Sequence, residues 1–186
     1  MLYEFLSLFF KDKPSFALAP LFITLLFAAH PLHTEVVANI KSRDEIMLML
    51  FGTLSFLYFL KHLFHKRKKD YAISLFAFLL ALLSKESSVA LVLVFPLLLY
   101  FFMTDKKELV AGSKWLLPYL AVLAVFLIFR NSIMPESNLA QLTYIDNMLI
   151  NAEGSSRYGT PMVVLLKYLK LIVLPYPLSY DYSYSQ

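Results

Sequence analysis

Cysteine is absent from the chain, which excludes a disulfide framework and any thiolate-bound metal. Glycine is scarce, with 4 in 186 residues, and none stands in a phosphate-cradling pattern. There is no Walker loop, no Gly-rich dinucleotide turn and no Gly-x-Ser-x-Gly elbow. Long runs of one charge are also missing. The formal net charge is +4, but the basic residues sit in short loops between apolar blocks and form no continuous stripe, so no nucleic-acid partner is expected. What the chain has instead is apolar residues: 59% of it is hydrophobic, with a mean hydropathy of +0.65. Soluble domains run nearer to about 45–50%. The excess is gathered into blocks, as in membrane spans, and the 17 Phe and 12 Tyr suit lipid-facing helices and interfacial belts.

Residues 1–10 are apolar but too short to span. The charge at Lys11-Asp12-Lys13-Pro14 follows the run, whereas a signal peptide carries its charge before it. The run reads as the tail of a helix that begins outside this chain, so a piece of a longer protein is expected. Further apolar runs cover residues 15–29, 46–64, 71–83, 89–103 and 115–129. The first of these is short for a span, which neighbouring helices and a thin bilayer tolerate. The expected fold class is all-α, a polytopic helical integral membrane protein whose helical core is residues 1–130. A charged loop is expected at 104–114. A polar non-cytoplasmic loop is expected over 131–161, around the turn Glu153-Gly154-Ser155-Ser156.

Residues 162–174 are apolar but carry Lys167 and Lys170, three apart on one helical face. A lysine at the bilayer centre costs about 3 kcal/mol. An amphipathic helix lying in the outer interface avoids that cost and is the expectation, with a tilted span lining a wet cavity as its rival. A Pro-, Tyr- and Ser-rich tail completes the segment 162–186.

Orientation follows from the basic residues. The loops around Lys11, Lys66 and Lys106, with Lys61 and Lys114 at their edges, hold 10 of the 17 Lys and Arg. That excess assigns them to the cytoplasm. The regions of His30, Lys85 and Arg130 then face the periplasm or a lumen.

Three polar constellations lie on that outer side. His30-Pro31-Leu32-His33-Thr34-Glu35 places two imidazoles and a carboxylate at a membrane exit, and Arg43-Asp44-Glu45 stands at the next entry. Pro31 suits the first turn of a short helix along the outer surface. The plain alternative is that these residues solvate a loop, and two histidines without a third firm ligand make a weak metal site. Ser84-Lys85-Glu86-Ser87-Ser88 is a short turn with a charged pair at its centre. Ionisable groups so close to membrane depth are costly and mark a functional site unless Lys85 and Glu86 pair with each other and cap the hairpin. Arg130, Arg157, Tyr158, Lys167 and Lys170 form the third group, suited either to anionic headgroups or to one bound phosphate.

His30-Pro31-Leu32-His33-Thr34-Glu35-Val36-Val37-Ala38, then Arg43-Asp44, then Leu83-Ser84-Lys85-Glu86 resemble the transmembrane and tetratricopeptide-repeat O-mannosyltransferases and their bacterial relatives. The closing Tyr168-Leu169-Lys170-Leu171, Leu174-Pro175 and Tyr180-Asp181-Tyr182-Ser183 resemble that family's segment after its large outer loop. The resemblance runs from about Pro14 to Gln186, leaving residues 131–160 unmatched. It implies a polytopic GT-C glycosyltransferase, related to the protein O-mannosyltransferases. Such an enzyme moves a sugar from a polyprenyl- or dolichyl-phosphate carrier to a protein or glycan hydroxyl, with no cofactor. It also implies that Lys85, Glu86, Arg43 and Arg130 sit at the carrier-phosphate site, and that His30, His33, Glu35 and Asp44 line the outer cleft. The family's acidic catalytic motif and its repeats fall outside this chain. The catalytic base is therefore unassigned and the piece alone is expected to be inactive. Short cytoplasmic turns and the lack of an Asn-x-Ser/Thr acceptor suit a bacterial inner membrane, with the endoplasmic reticulum membrane as the alternative. Two other classes stay open: a transporter or lipid-handling protein, and a non-catalytic membrane anchor of a repeat protein. Neither an internal repeat nor paired mid-membrane Gly and Pro is present to favour a transporter.

Overall fold

A computed structural model of the chain describes residues 1–11, 14–103, 105–133 and 156–176. The helices in chain order are α1 (Leu2–Phe9), α2 (Ala19–Ala29), α3 (His33–Ala38), α4 (Arg43–His65), α5 (Lys68–Ser84), α6 (Val94–Phe102), α7 (Lys106–Ser113), α8 (Leu117–Ile133) and α9 (Ser156–Val173). Four 3-10 segments, Pro14–Phe16, Ile40–Ser42, Glu86–Leu93 and Lys114–Leu116, join them. No strand occurs among the described residues, so the all-α class holds.

The α4–α5 hairpin organises the rest. Asp44 and Glu45 stand in the first turn of α4, where the helix dipole favours negative charge, and His62 and His65 stand in its last. The helix stops at Lys66, whose left-handed φ of 55° costs roughly 1 kcal/mol for a side chain with a Cβ. Two bonds offset that strain. The Lys66 N–H donates to the His62 carbonyl at 2.7 Å, and His62 Nδ1–H donates to the Arg67 carbonyl at 2.9 Å. Lys68 then opens α5 antiparallel to α4. Contacts between the two arms join residues 5, 19 and 40 positions apart as they climb away from the turn: His62–Arg67, Ser55–Ser74 and Glu45–Lys85.

Ser55 and Ser74 let the two backbones approach closely, as small residues do between membrane helices. Each donates to the other's carbonyl, at 2.8 and 2.6 Å. Both serine protons are thereby committed, so the Tyr119 hydroxyl is the donor in its 2.6 Å contact with Ser74 Oγ. This brings α8 alongside α5, parallel to it. Tyr71–Trp115, Ser74–Tyr119 and Glu86–Arg130 join residues 44 or 45 positions apart. Around this network Phe59, Phe78, Phe95 and Tyr119 form a fully buried ring cluster, with Phe95 edge-to-face against Phe59 at 5.2 Å and Phe78 at 5.5 Å.

Two stretches, Ile40–His65 and Lys106–Ile133, are long and apolar enough to cross a membrane. Only 6% of the apolar part of the second is buried within the chain. A core helix of a soluble protein would be covered; here Leu117, Leu120, Val125, Ile128 and Phe129 are all exposed.

Three boundaries differ from the expectations. The charged loop at 104–114 is instead the helix α7, because the Asp105 side chain caps it by accepting from the Lys107 N–H at 3.1 Å. Of the loop placed at 131–161, residues 131–133 belong to α8 and residues 156–161 to α9, and residues 134–155 lie outside the described residues. Pro161 lies inside α9 and, lacking an N–H, forfeits one intrahelical bond. The descent at 89–103 begins as the 3-10 segment Glu86–Leu93 before α6.

Removing the central ring is the strongest test of this core. Phe95→Ala should destabilise the chain by about 3–5 kcal/mol, read as a lower unfolding midpoint in detergent. Tyr119→Phe, which deletes one interhelical hydrogen bond, should cost only about 0.6 kcal/mol.

Candidate functional site

The register of the hairpin brings the start of α4 and the end of α5 to the same end of the bundle, opposite the basic turn. At that end Lys85 adopts an extended backbone, φ −154° and ψ 140°, which breaks α5 and sends the side chains of Lys85 and Glu86 in different directions. The buried Ser88 fixes the turn by donating to the Lys85 carbonyl. Lys85 reaches α4, where its Nζ pairs with Glu45 Oε1 and stands 3.3 Å from Asp44 Oδ2. Glu86 reaches α8 and accepts both arms of the Arg130 guanidinium, Nε at 3.1 Å and a terminal nitrogen at 2.6 Å. The two residues therefore do not neutralise each other; each ties the turn to a different helix.

These groups border a cavity of about 390 Å³ whose polar rim is Asp44, Lys85, Glu86 and Arg130 and whose apolar wall includes Leu82 and Phe126. The hydrogen bond that Lys85 donates to Glu45 is the main reason that the Lys85 pKa is raised above the usual lysine range; partial burial opposes it and Asp44 adds to it. The folded chain thus holds this proton more tightly than the unfolded one. Its contribution to stability is complete below the usual lysine pKa and is lost as pH rises through the raised value.

The sequence-predicted residues divide into two places. Asp44, Lys85, Glu86 and Arg130 converge on the cavity. His30 and His33 do not line it. They stack near Phe27, with His33 at 4.3 Å from the Phe27 ring and 6.0 Å from His30. His30 Nδ1 accepts from the Leu32 N–H at 3.3 Å, so Nε2 carries the proton and donates to the Ile172 carbonyl at 3.1 Å. That carbonyl belongs to the last turn of α9 and lacks an intrahelical partner, so His30 docks α9 onto the outer loop. Glu35 and Arg43 are exposed. Lys167 is half-buried and Lys170 exposed on α9. The side chains of Arg157 and Tyr158, and the segment 180–183, lie outside the described residues.

The sequence names Glu45 in the Arg43-Asp44-Glu45 group but gives it no role in the site. The two-residue turn at Lys66-Arg67 carries the missing signal, since an antiparallel pair closed there sets 44–45 opposite 85. His62, buried at the other end, was missed as well. Its ring packs 5.0 Å from Tyr71 and 4.6 Å from Trp115, and its Nε2 has no hydrogen-bond partner among the described residues. No group of histidines and carboxylates suited to a metal occurs among them.

The fold and site define an all-helical protein with membrane-length apolar helices and an ion-paired cleft of about 390 Å³ at one helix end. The family described as dolichyl-phosphate-mannose-protein mannosyltransferase matches residues 1–133, and the chain belongs to that family. It is 38% identical over 79 residues to Protein O-mannosyl-transferase TMTC4 of Homo sapiens, which covers 38% of this chain and 10% of that relative. Over 39 residues it is 54% identical to Protein O-mannosyl-transferase TMTC4 of Mus musculus, covering 21% of this chain and 5% of that relative. The chain thus spans about a tenth or less of the curated relatives that it matches. No solved structure matches.

Glu45→Gln should bring the Lys85 pKa back toward the usual range. Acetic anhydride at pH 9 should then acetylate Lys85 faster than in the unaltered chain, measured by mass spectrometry. An unchanged rate would mean that Glu45 does not hold the charge.

Proposed function

We propose that this chain is part of the membrane core of a GT-C-type glycosyltransferase. It would transfer a sugar, mannose in the family's name, from a polyprenyl- or dolichyl-phosphate carrier to a protein or glycan hydroxyl. The observation that carries the proposal is the convergence of Lys85 and Arg130 on one cavity in a chain of the mannosyltransferase family. A phosphate is a good leaving group and needs no proton from the protein. The requirements are cations for its developing charge and a carboxylate base for the acceptor hydroxyl. Lys85, Arg130 and Arg43 supply the first, with Glu86 in the same carrier site. His30, His33, Glu35 and Asp44 belong to the outer cleft through which the acceptor approaches. The base is contributed from outside this chain, and the reaction needs no cofactor.

The exposed apolar faces of α2 and α8 meet lipid in this reading, which makes the chain polytopic. The Lys66 turn is cytoplasmic, and the Lys85 site lies on the periplasmic face of a bacterial inner membrane (or the lumenal face of the endoplasmic reticulum). α9 lies in the outer interface with Lys167 and Lys170 toward headgroups.

Two experiments test this. In the full-length protein, Lys85→Ala abolishes sugar transfer while membrane insertion is unchanged; retained transfer would remove Lys85 from the site, as a transporter or anchor role predicts. Because the chain has no cysteine, Ser87→Cys and Lys68→Cys each introduce a single thiol. An impermeant maleimide added outside intact cells should label the first and spare the second until the membrane is opened; the opposite pattern inverts the orientation.

A further inference from the structure

The charges at the cavity do not balance in favour of an anion. Two cations, Lys85 and Arg130, meet three carboxylates, Asp44, Glu45 and Glu86. The cluster carries an excess negative charge, which the exposed Arg43 next to Asp44 at the start of α4 only cancels. A phosphate arriving there gains no net attraction until a carboxylate withdraws.

The three carboxylates are not equally held. Asp44 and Glu45 lie in the first turn of α4, where the helix dipole favours negative charge, and they share Lys85. Their side chains are 38% and 39% exposed. Glu86 opens a 3-10 segment, is 64% exposed and, among the described residues, pairs with Arg130 alone. It occupies the guanidinium through two parallel N–H bonds, the fork that fits a phosphate equally well. An exposed pair of this kind is readily exchanged, because water replaces most of what each partner loses.

We infer that Glu86 is a built-in competitor for the anion site. In the resting protein its carboxylate fills the Arg130 fork. The phosphate of a lipid displaces it, accepts the two Arg130 N–H bonds and leaves Glu86 in water, while Lys85 stays bound to Asp44 and Glu45 and keeps the turn fastened to α4. The inference rests on the proposed lipid-phosphate role of this site and sharpens it. Arg130 is the cation that changes partner, Lys85 adds its charge to the site without leaving Asp44 and Glu45, and Glu86 opposes binding instead of contributing to it.

The test is binding of dolichyl phosphate to the full-length protein in phosphatidylcholine nanodiscs. Glu86→Gln should lower the Kd by about two- to fivefold, the worth of an exposed ion pair that no longer competes, and Arg130→Gln should abolish binding. Glu86→Asp, too short to fill the fork, should tighten binding as well and reads the same sign if Glu86→Gln fails to fold. Weaker or unchanged binding in the Glu86 variants, with the unaltered protein still binding, overturns the competitor role alone. If the unaltered protein and every variant fail to bind dolichyl phosphate, the lipid-phosphate reading falls and the inference with it. Equal tightening with phosphatidic acid would support the exchange and name a bulk headgroup as the anion's source.

Discussion

The rest of the structure depends on the register of one helical hairpin. A two-residue turn with a left-handed lysine is a poor way to end a helix on local grounds, and it persists because His62 reaches over it to the Arg67 carbonyl. From there the pairing is carried up the hairpin by the reciprocal Ser55–Ser74 bonds in the middle and by the Lys85 pair with Asp44 and Glu45 at the far end. A slip of one residue would rotate each partner by about 100° around its helix. The serines would then face apolar side chains and the ion pairs would part. In a medium without water an unmatched polar group costs several kcal/mol, so the register is held by polar groups at three heights.

The same polar ladder explains where the third helix stands. Tyr119 finds its acceptor only at Ser74, and its ring closes the Phe59, Phe78 and Phe95 cluster. Packing then carries α8 upward beside α5 until Arg130 is level with Glu86. The cavity is a consequence. It opens where α5 has ended, the 3-10 segment has turned aside, and α8 continues to Ile133. The faces that take no part in this packing are those with large exposed apolar side chains on α2, α8 and α9, so one set of contacts defines both the inside of the bundle and its outer, lipid-compatible surface.

Family membership and this geometry meet at the Lys85-Glu86 turn. A charged pair in a hairpin is unremarkable when its members cancel each other. Here they are divided between two helices, leaving a guanidinium held only by an exposed carboxylate beside a cavity of about 390 Å³. That is an arrangement able to trade one anion for another. The chain covers about a tenth or less of its curated relatives, and the transferase reading of this cleft is the one proposed above.

By itself the sequence determined the all-helical class, the order of the apolar segments, the sharp turn at Lys66 and the family, because periodicity, charge placement and motif spacing are local and survive without a fold. It also picked out Asp44, Lys85, Glu86 and Arg130, since charges bordering apolar runs are conspicuous. Helix ends were less legible: the Asp105 cap of α7 depends on a single hydrogen bond that composition does not reveal, and a proline usually marks a helix boundary, yet Pro161 lies inside α9. Only the tertiary structure decided which cation holds which carboxylate. Lys85 and Glu86 are adjacent in the chain, and nothing local forbids their pairing. It is the hairpin register that carries Glu45 to Lys85, and the parallel packing of α8 that carries Arg130 to Glu86, across 40 and 44 positions of sequence. The same packing drew His30 away from the cavity to the end of α9, where an unpaired carbonyl needed a donor.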